Sequence, residues 1–247
     1  MFSSGDMIAG IFHKGSGLGD QLFRYITTRT LVLDKEYEWG MIGTALFKGY
    51  SFMNLDMGKN YELGLKEWHE KKIIEHDIDI TSYDPEINFV EDNTIIDGNF
   101  EDEKYWGHRL PEIREWLKVK PLEMPDNVCV INFRGGEYQS NPDLFLTKEY
   151  WNEAIKIMGD KYFEVHTDDL IIAKQFFPKF PIYSNIALNW RAIRYAKHLI
   201  LSNSAFGILP ALLNEGVKEV IAPRYWARRN TKIWARPSCY YKKFQYI

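Results

Sequence analysis

The sequence has few cysteines, no excess of positive charge and no long apolar run. Its two cysteines, Cys129 and Cys239, are too few for a disulfide framework and lack the paired Cys/His spacing of a zinc site, so we expect buried thiols in a reducing compartment. The net charge of -3 and the pI near 6.1 argue against a dedicated nucleic-acid binder. No stretch approaches the roughly 20 apolar residues that a membrane helix needs, so we expect a soluble, cytoplasmic protein that could still associate with a membrane surface.

Several catalytic signatures are also absent. The glycine segment at residues 15–19 lacks the full G-x-G-x-x-G spacing and is not followed by G-K-[ST], which argues against nicotinamide and ATP binding. The chain has no G-x-S-x-G elbow of a serine hydrolase. Its histidines show no H-E-x-x-H or other ligand spacing, so we expect neither a metal site nor a metal cofactor.

The chain is rich in apolar residues, arranged in an alternating pattern. With 247 residues, of which 45% are hydrophobic and 15% aromatic, it can bury a real core in one large domain or two small ones. From Val128 onward, short β-branched runs alternate with amphipathic stretches, which predicts βαβ units around a doubly wound, mostly parallel sheet. The predicted strands are residues 128–133, 162–166, 181–183, 198–201 and 219–222, and the predicted helices are residues 148–158, 170–176, 189–197 and 205–214.

The first half of the chain has a less regular pattern. Its predicted elements are a strand at residues 7–12, a glycine loop at residues 15–19, a helix at residues 20–34, a helix at residues 65–74 and a strand from Thr94. Prolines at 111, 121 and 125 bracket a helix and then a connection. The sequence therefore predicts an α/β protein with domains at residues 1–122 and 123–247.

Polar residues follow the predicted strands, where ligands bind in open α/β sheets. The first group is Arg134, Gly135, Gly136 and Glu137. Arg134 suits a diphosphate because its planar fork can donate two hydrogen bonds to phosphate oxygens, while the glycines let the backbone approach. The same residues also fit a plain strand-end turn in which Arg134 and Glu137 form a surface pair.

The second group is Asp168 and Asp169, at the end of another predicted strand. These carboxylates could accept hydrogen bonds from a nucleobase edge or a ribose, or one of them could cap the helix that starts at Leu170. Adjacent carboxylates on an extended backbone point in different directions, so a shared metal ion is the less favoured interpretation.

Two further segments offer backbone amides to an anion. Ser202, Ser204 and Phe206 lie in a strand-to-helix link whose free amides form an anion site, although the serines could serve only as caps. The glycine segment with Asp20 and Gln21 is either a tight strand-to-helix turn or a backbone loop near a sugar diphosphate.

Six segments, in order and approximate spacing, resemble those of family 11 glycosyltransferases, the α-1,2-fucosyltransferases, and more distantly the wider fucosyltransferase superfamily. They are residues 17–25 (G-L-G-N-Q-[ML]-F-Q-Y in the family), 97–106 (G-Y-F-Q-S-x-K-Y-F), 132–138 (H-x-R-R-G-D-Y), 166–169 (F-S-D-D), 202–207 (N-S-[ST]-F-S) and 222–226 (A-P-x-x-W). The resemblance spans most of the chain, and the agreement in order is stronger than any single motif.

The resemblance implies a two-domain GT-B type fold with an acceptor-side N-terminal half and a C-terminal half that binds the nucleotide sugar. It implies an inverting, metal-independent transfer of L-fucose from GDP-fucose to a glycan hydroxyl, of the galactoside α-1,2 type. Arg134 would hold the β-phosphate and stabilise the leaving GDP, with Glu137 and Asp20 as the first carboxylates to test as the base. Asp168 would contact the guanine. The implied donor-binding residues are Asn132, Arg134, Gly136, Asp168, Asp169, Ser202, Ser204, Phe206, Gly17, Gly19 and Gln21.

The most diagnostic motif departs from the family at three positions: Asn132 replaces a histidine, Gly135 an arginine and Glu137 an aspartate. The loss of the second arginine removes a cation, for which Arg24, Arg191 or the basic C-terminus could compensate. It also leaves two alternatives: a catalytically degenerate protein that binds nucleotide sugars or glycans, or a transferase that uses another nucleotide sugar.

The C-terminal segment, residues 223–247, carries seven Lys/Arg, no Asp/Glu and seven aromatic residues. This composition suits a peripheral contact with an anionic membrane surface or a lipid-linked acceptor. It equally suits a tail that is packed by its aromatic side chains and whose charges are solvated.

Overall fold

The computed structural model describes residues 7–59, 66–75, 78–227 and 240–247. The chain divides into two compact units, Met1–Lys118 and Val119–Ile247. Each unit has its own parallel sheet. Among the described residues, no helix combines the length and the apolar character needed to cross a bilayer.

The first unit is built on a parallel sheet and one long helix. Its elements are β1 (Met7–Ile11), α1 (Leu18–Lys35), β2 (Glu38–Ile42), β3 (Lys66–His69), β4 (Lys72–Glu75), β5 (Ile78–Thr81), β6 (Thr94–Asp97) and α2 (Leu110–Trp116). The sheet has the order β2-β1-β6-β3 with every pair parallel, and β4 and β5 form a separate antiparallel pair. Helix α1 packs on β1 through buried side chains such as Leu22, Phe23 and Ile26.

In the described part of the second unit, six parallel strands alternate with four α-helices. Its elements are β7 (Val128–Phe133), α3 (Lys148–Met158), β8 (Tyr162–Thr167), α4 (Leu170–Phe176), β9 (Ile182–Tyr183), α5 (Ile186–Tyr195), β10 (His198–Ile200), α6 (Ala205–Leu213), β11 (Glu219–Ala222) and β12 (Gln245–Tyr246). The strand order is β9-β8-β7-β10-β11-β12. This is the order of a doubly wound sheet that begins at its centre.

Helices cover both faces of this second sheet. Phe133 of β7 points into an aromatic cluster with Trp151 of α3 and with Phe177, which directly follows α4, at ring-centroid distances of 5.3 and 5.4 Å. Its neighbour Asn132 points to the opposite face, where Gly207 of α6 approaches. Because successive side chains of a strand alternate between faces, β7 is buried along its whole length.

The predicted α/β class is confirmed: each half is built on a parallel sheet, and the sheet of the C-terminal half is doubly wound. Within the second unit, β7, β11, α3 and α4 have the predicted bounds, and β8, β9, β10, α5 and α6 differ from the prediction by one to three residues at one or both ends. Strand β12 was not predicted. The predicted helix at residues 65–74 is wrong, because the described part of that segment forms strands β3 and β4. Cys129 is buried as expected, whereas Cys239 and the other residues of 228–239 in the basic, aromatic tail lie outside the described residues.

Candidate functional site

The second sheet has one point at which its winding reverses. Strand β7 lies between β8 and β10, and the chain proceeds outward from β7 to one edge before it returns to β10 and proceeds to the other edge. Connections that leave in opposite directions open a crevice at the carboxyl ends of the two central strands. Arg134 follows β7 directly, and Ser202 and Ser204 follow β10.

Arg134 brings a positive charge to this edge of the sheet. Its Nη1 lies 2.5 Å from Asp168 Oδ2, and its Nη2 donates to Glu137 Oε1 at 2.9 Å. The Arg134 and Asp168 side chains are 30% and 28% exposed, whereas that of Glu137 is 76% exposed, so the pair with Glu137 contributes little to stability. The guanidinium carbon also lies 5.2 Å from the centre of the Tyr138 ring.

The two adjacent aspartates have different tasks. Asp169 is the N-cap of α4, and its Oδ1 accepts hydrogen bonds from the amides of Ile171 and Ile172 at 3.0 and 3.1 Å. Asp168 Oδ1 instead accepts from the Gly135 amide at 2.8 Å, while its other oxygen meets Arg134. The capping interpretation therefore holds for Asp169, and Asp168 faces the Arg134 loop.

Asn132 and Ser202 link the two central strands. Ser202 Oγ donates to Asn132 Oδ1 at 3.0 Å, and both side chains are buried. Tyr138 adds a second link, since its hydroxyl donates to the Asn203 carbonyl at 3.4 Å. The sequence analysis predicted that Asn132 binds the nucleotide sugar. In the structure its side chain is buried and bonded to Ser202, two residues before Arg134.

The N-terminus of α6 lies at the same edge. Ser204 is the N-cap and makes no side-chain capping bond, and the amides of Ala205 and Phe206 have no acceptor among the described residues. Unsatisfied amides at a helix start, together with the helix dipole, favour an anion. The half-buried Phe206 ring packs edge-on against Trp190 at 5.7 Å.

In the first unit, the predicted glycine loop leads into α1 as a capped turn. Gly17 is the N-cap, and its amide donates to Asp20 Oδ2 at 3.1 Å. Gln21 is fully buried, donates to the Leu46 carbonyl at 2.8 Å and accepts from the Lys48 amide at 2.9 Å. Both functional groups of Gln21 are thus used to hold the chain after β2. Gly19 is buried within the first turn of α1.

A second group of polar side chains lies at the carboxyl edge of the first sheet. His13 follows β1, Asp97 ends β6 and His69 ends β3, and these strands are neighbours. His13 Nε2 is 2.9 Å from Asp97 Oδ2, and His69 Nδ1 is 3.6 Å from the same oxygen. The buried Arg24 approaches Asp97 Oδ1 with its Nε at 3.3 Å.

A buried carboxylate group extends the edge of the first sheet. Glu70 Oε2 accepts from the amides of Asn99 and Phe100 at 2.7 and 3.1 Å. Burial, together with the nearby carboxylates of Asp20 and Glu70, raises the pKa of Glu101 to about 8. The sequence analysis missed His13, Asp97 and Glu101, although His13 directly follows a predicted strand.

The two arginines considered as substitutes for the lost cation are engaged elsewhere. Arg24 donates to the Gly98 carbonyl and to Ser16 Oγ, both at 2.9 Å. Arg191 donates to the carbonyls of residues 120 and 121 at 2.7 and 2.8 Å. Within the described ranges of the chain, no three His, Cys, Asp or Glu side chains are grouped so that they could hold a metal ion.

No protein-family model and no curated protein matches this chain. Among solved structures, the chain is similar to a mutant of FUT1 from Arabidopsis thaliana in complex with GDP, with a TM-score of 0.49 and 11% sequence identity. The match covers 94% of this chain and 74% of that chain. Membership of family 11 stays a prediction.

Proposed function

We propose that this protein is an inverting, metal-independent glycosyltransferase that moves L-fucose from GDP-fucose to a glycan hydroxyl. The observation that carries the proposal is the position of Arg134, directly after β7 at the reversal point of a doubly wound sheet. The start of α6, where two amides have no acceptor within the described part of the chain, belongs to the same edge. A cation and free amides at such an edge suit a diphosphate.

In this proposal the second unit binds the donor and the first unit holds the acceptor. Arg134 and the α6 amides bind the diphosphate, and the charge that builds on the leaving GDP is stabilised by the guanidinium, as a metal ion does in other transferases. Asp168 binds the guanine or keeps Arg134 oriented. The six motif segments support fucose as the transferred sugar and a galactoside as the acceptor.

The first experiment measures GDP and GDP-fucose binding by calorimetry for the wild type and for Arg134→Ala. Since hydrogen bonds to charged groups contribute about 1.5–3 kcal/mol, we expect Arg134→Ala to weaken GDP binding roughly 10- to 100-fold. Arg194→Ala is the matched control, because Arg194 lies near the end of α5, at the opposite edge of the sheet, and packs on Tyr195. It removes the same charge and should leave GDP affinity unchanged.

Binding is then compared with turnover. Release of GDP from GDP-fucose that disappears in Arg134→Ala supports the transferase. GDP binding without turnover across many acceptors supports the degenerate binding protein, which the exchange of the second arginine for Gly135 favours. If another nucleotide sugar binds more tightly than GDP-fucose, that compound, and not GDP-fucose, is the donor. Failure of the wild type to bind GDP at all would contradict every form of the proposal.

A further inference from the structure

The guanidinium group of Arg134 already contacts two carboxylates. Its Nε atom is fully buried, so a ligand reaches the group through the terminal nitrogens Nη1 and Nη2. Nη1 lies 2.5 Å from Asp168 Oδ2, and Nη2 donates to Glu137 Oε1 at 2.9 Å. In the proposed function a phosphate group binds to the same guanidinium, so the phosphate and at least one carboxylate compete for it.

The contact with Asp168 is held from a second side. Asp168 Oδ1 accepts a hydrogen bond from the Gly135 amide at 2.8 Å, and the side chain is only 28% exposed. The guanidinium carbon also lies 5.2 Å from the centre of the Tyr138 ring. Arg134 therefore has two contacts, with Asp168 and with Tyr138, that do not depend on Glu137.

The Glu137 side chain is held only at its carboxylate. It is 76% exposed, and within the described part of the chain this carboxylate accepts a hydrogen bond from Arg134 alone. Its backbone lies in a bonded turn, in which Ser140 Oγ donates to the Glu137 carbonyl at 2.8 Å and the Gln139 amide to the Gly135 carbonyl at 3.1 Å. Rotation of the side chain is thus enough to release Nη2. The cost is small, because exposed ion pairs contribute little stability.

We propose that Glu137 occupies, in the free protein, the place on Arg134 Nη2 that a phosphate group of the donor takes when it binds. The inference rests on the proposed function. Glu137 then lowers donor affinity, because its carboxylate has to leave Nη2 and repels the phosphate from nearby. Asp168 stays in place and keeps the guanidinium oriented. One anion replaces another, so the charge of Arg134 is compensated with and without the donor.

The two carboxylates are expected to have opposite effects on GDP binding. Glu137→Gln removes the competing charge and keeps the size of the side chain, so GDP should bind about three- to tenfold more tightly. Asp168→Asn removes the carboxylate that orients Arg134, so GDP should bind more weakly. Calorimetry on the full chain, at constant pH and ionic strength, measures both changes. Tighter binding in both variants would contradict the inference, because Asp168 would then be a competitor as well.

A double-mutant cycle tests whether the contact with Arg134 is the cause. Without the guanidinium, Glu137 has no Nη2 to occupy, and only its general repulsion of GDP remains. The gain from Glu137→Gln should therefore fall to about twofold or less in the Arg134→Ala background. An equal gain in both backgrounds would show a general charge effect and would overturn the inference.

The matched control is Glu153→Gln. Glu153 is an exposed residue of α3 in the same unit, and its substitution removes the same charge from the chain. This variant should bind GDP with wild-type affinity. Thermal unfolding is measured for each protein, and Glu137→Gln should unfold at the wild-type temperature, because its exposed pair contributes little to stability. A gain in affinity is then not a consequence of altered folding.

The outcomes separate this inference from the proposed function. If Arg134→Ala weakens GDP binding and Glu137→Gln does not tighten it, the inference is wrong and the proposed function remains. If Glu137→Gln keeps wild-type affinity and loses turnover, Glu137 acts as the general base and not as a competitor. A wild type that does not bind GDP, or whose GDP affinity changes in neither variant, overturns the proposed function and this inference together.

Discussion

At the residue scale, the geometry around Arg134 depends on a glycine. Gly136 has a φ of +32°, and a Cβ atom at this position would lie 2.4 Å from Asp168 Oδ2. Residues with a side chain rarely adopt this backbone conformation. The carboxylate of Asp168 is the group that would have to move to make room for the added Cβ atom. Asp168 can meet Arg134 Nη1 at 2.5 Å only because this space is empty.

Gly136→Ala should therefore weaken GDP binding by about tenfold or more, because the methyl group displaces Asp168 and with it the guanidinium of Arg134. Calorimetry with GDP measures the effect. Gly159→Ala is the control, since Gly159 has a φ of +72° but nothing within 4 Å of its added Cβ. It should lose stability through backbone strain and keep its GDP affinity. Wild-type GDP affinity in Gly136→Ala would contradict the prediction.

At the element scale, strand pairing decides which predicted residues meet. The sequence analysis placed Arg134 and Asp168 after separate strands, and both positions are local properties of the chain. Their contact follows from the register of β7 against β8, in which Phe133 pairs with Thr167, so that the next residues are neighbours. The contact of His13 with Asp97 has the same origin. Periodicity predicts a strand but contains no information on its partner or register.

The error at residues 65–74 has a related cause. The segment is rich in Lys and Glu, which favour helices, and it contains Trp68 and His69 within a polar run. In the structure, β3 pairs along β6, with Lys66 beside Thr94 and His69 beside Asp97. Tertiary pairing with a buried strand outweighs a helix preference of a few tenths of a kcal/mol per residue.

Helix α6 depends on a close approach to β7. A Cβ atom on Gly207 would lie 2.2 Å from Asn132 Oδ1, and both residues are buried. Gly207→Ala should lower the free energy of unfolding by about 1–3 kcal/mol, because overpacking costs more than the gain in helix preference. Denaturant titration measures this loss.

The double variant Gly207→Ala/Asn132→Ala identifies the cause. Asn132→Ala removes the clashing amide, so the double variant should be more stable than the sum of the single effects by about 1 kcal/mol or more. Gly216→Ala is the control partner, because its nearest neighbour, Asn214 Oδ1, would lie at an ordinary 3.8 Å. The change in the free energy of unfolding caused by Gly216→Ala should simply add to the change caused by Asn132→Ala. Simple additivity of Gly207→Ala with Asn132→Ala would show that the clash is not the cause.

At the scale of the whole molecule, burial shifts the pKa of a titratable group in each unit, and its protonation therefore affects stability. In the first unit, burial and two nearby carboxylates raise the pKa of Glu101 from 4.5 to about 8. Between these two pH values the unfolded chain loses this proton and the folded chain keeps it. The stability of the first unit should therefore fall as pH rises from 4.5 to 8, by at most about 1.4 kcal/mol per pH unit.

In the second unit the sign is opposite. Burial lowers the pKa of His166 from 6.5 to about 4, although the bond of Nδ1 with Asn189 Oδ1 at 3.0 Å opposes the shift. Nε2 is fully buried and has no hydrogen-bond partner among the described residues, which favours the neutral ring. As pH falls from 6.5 to 4, His166 binds a proton in the unfolded chain but stays neutral in the folded chain. The second unit should lose stability in that window.

The two slopes predict that acidification from pH 6.5 to 4.5 acts oppositely on the two units. Hydrogen exchange, corrected for intrinsic rates, should show rising protection in β1 and β6 and falling protection in β7 and β8. Glu101→Gln should remove the pH dependence of protection only in β1 and β6, and His166→Gln should remove it only in β7 and β8. Glu103→Gln is the control: Glu103 is exposed and close to Glu101 in sequence, and its substitution should change neither pH dependence. Equal changes in both sheets, or slopes that survive these substitutions, would contradict the assignment. Opposed slopes would mean that each unit opens on its own, since a single cooperative transition gives every amide the same pH dependence.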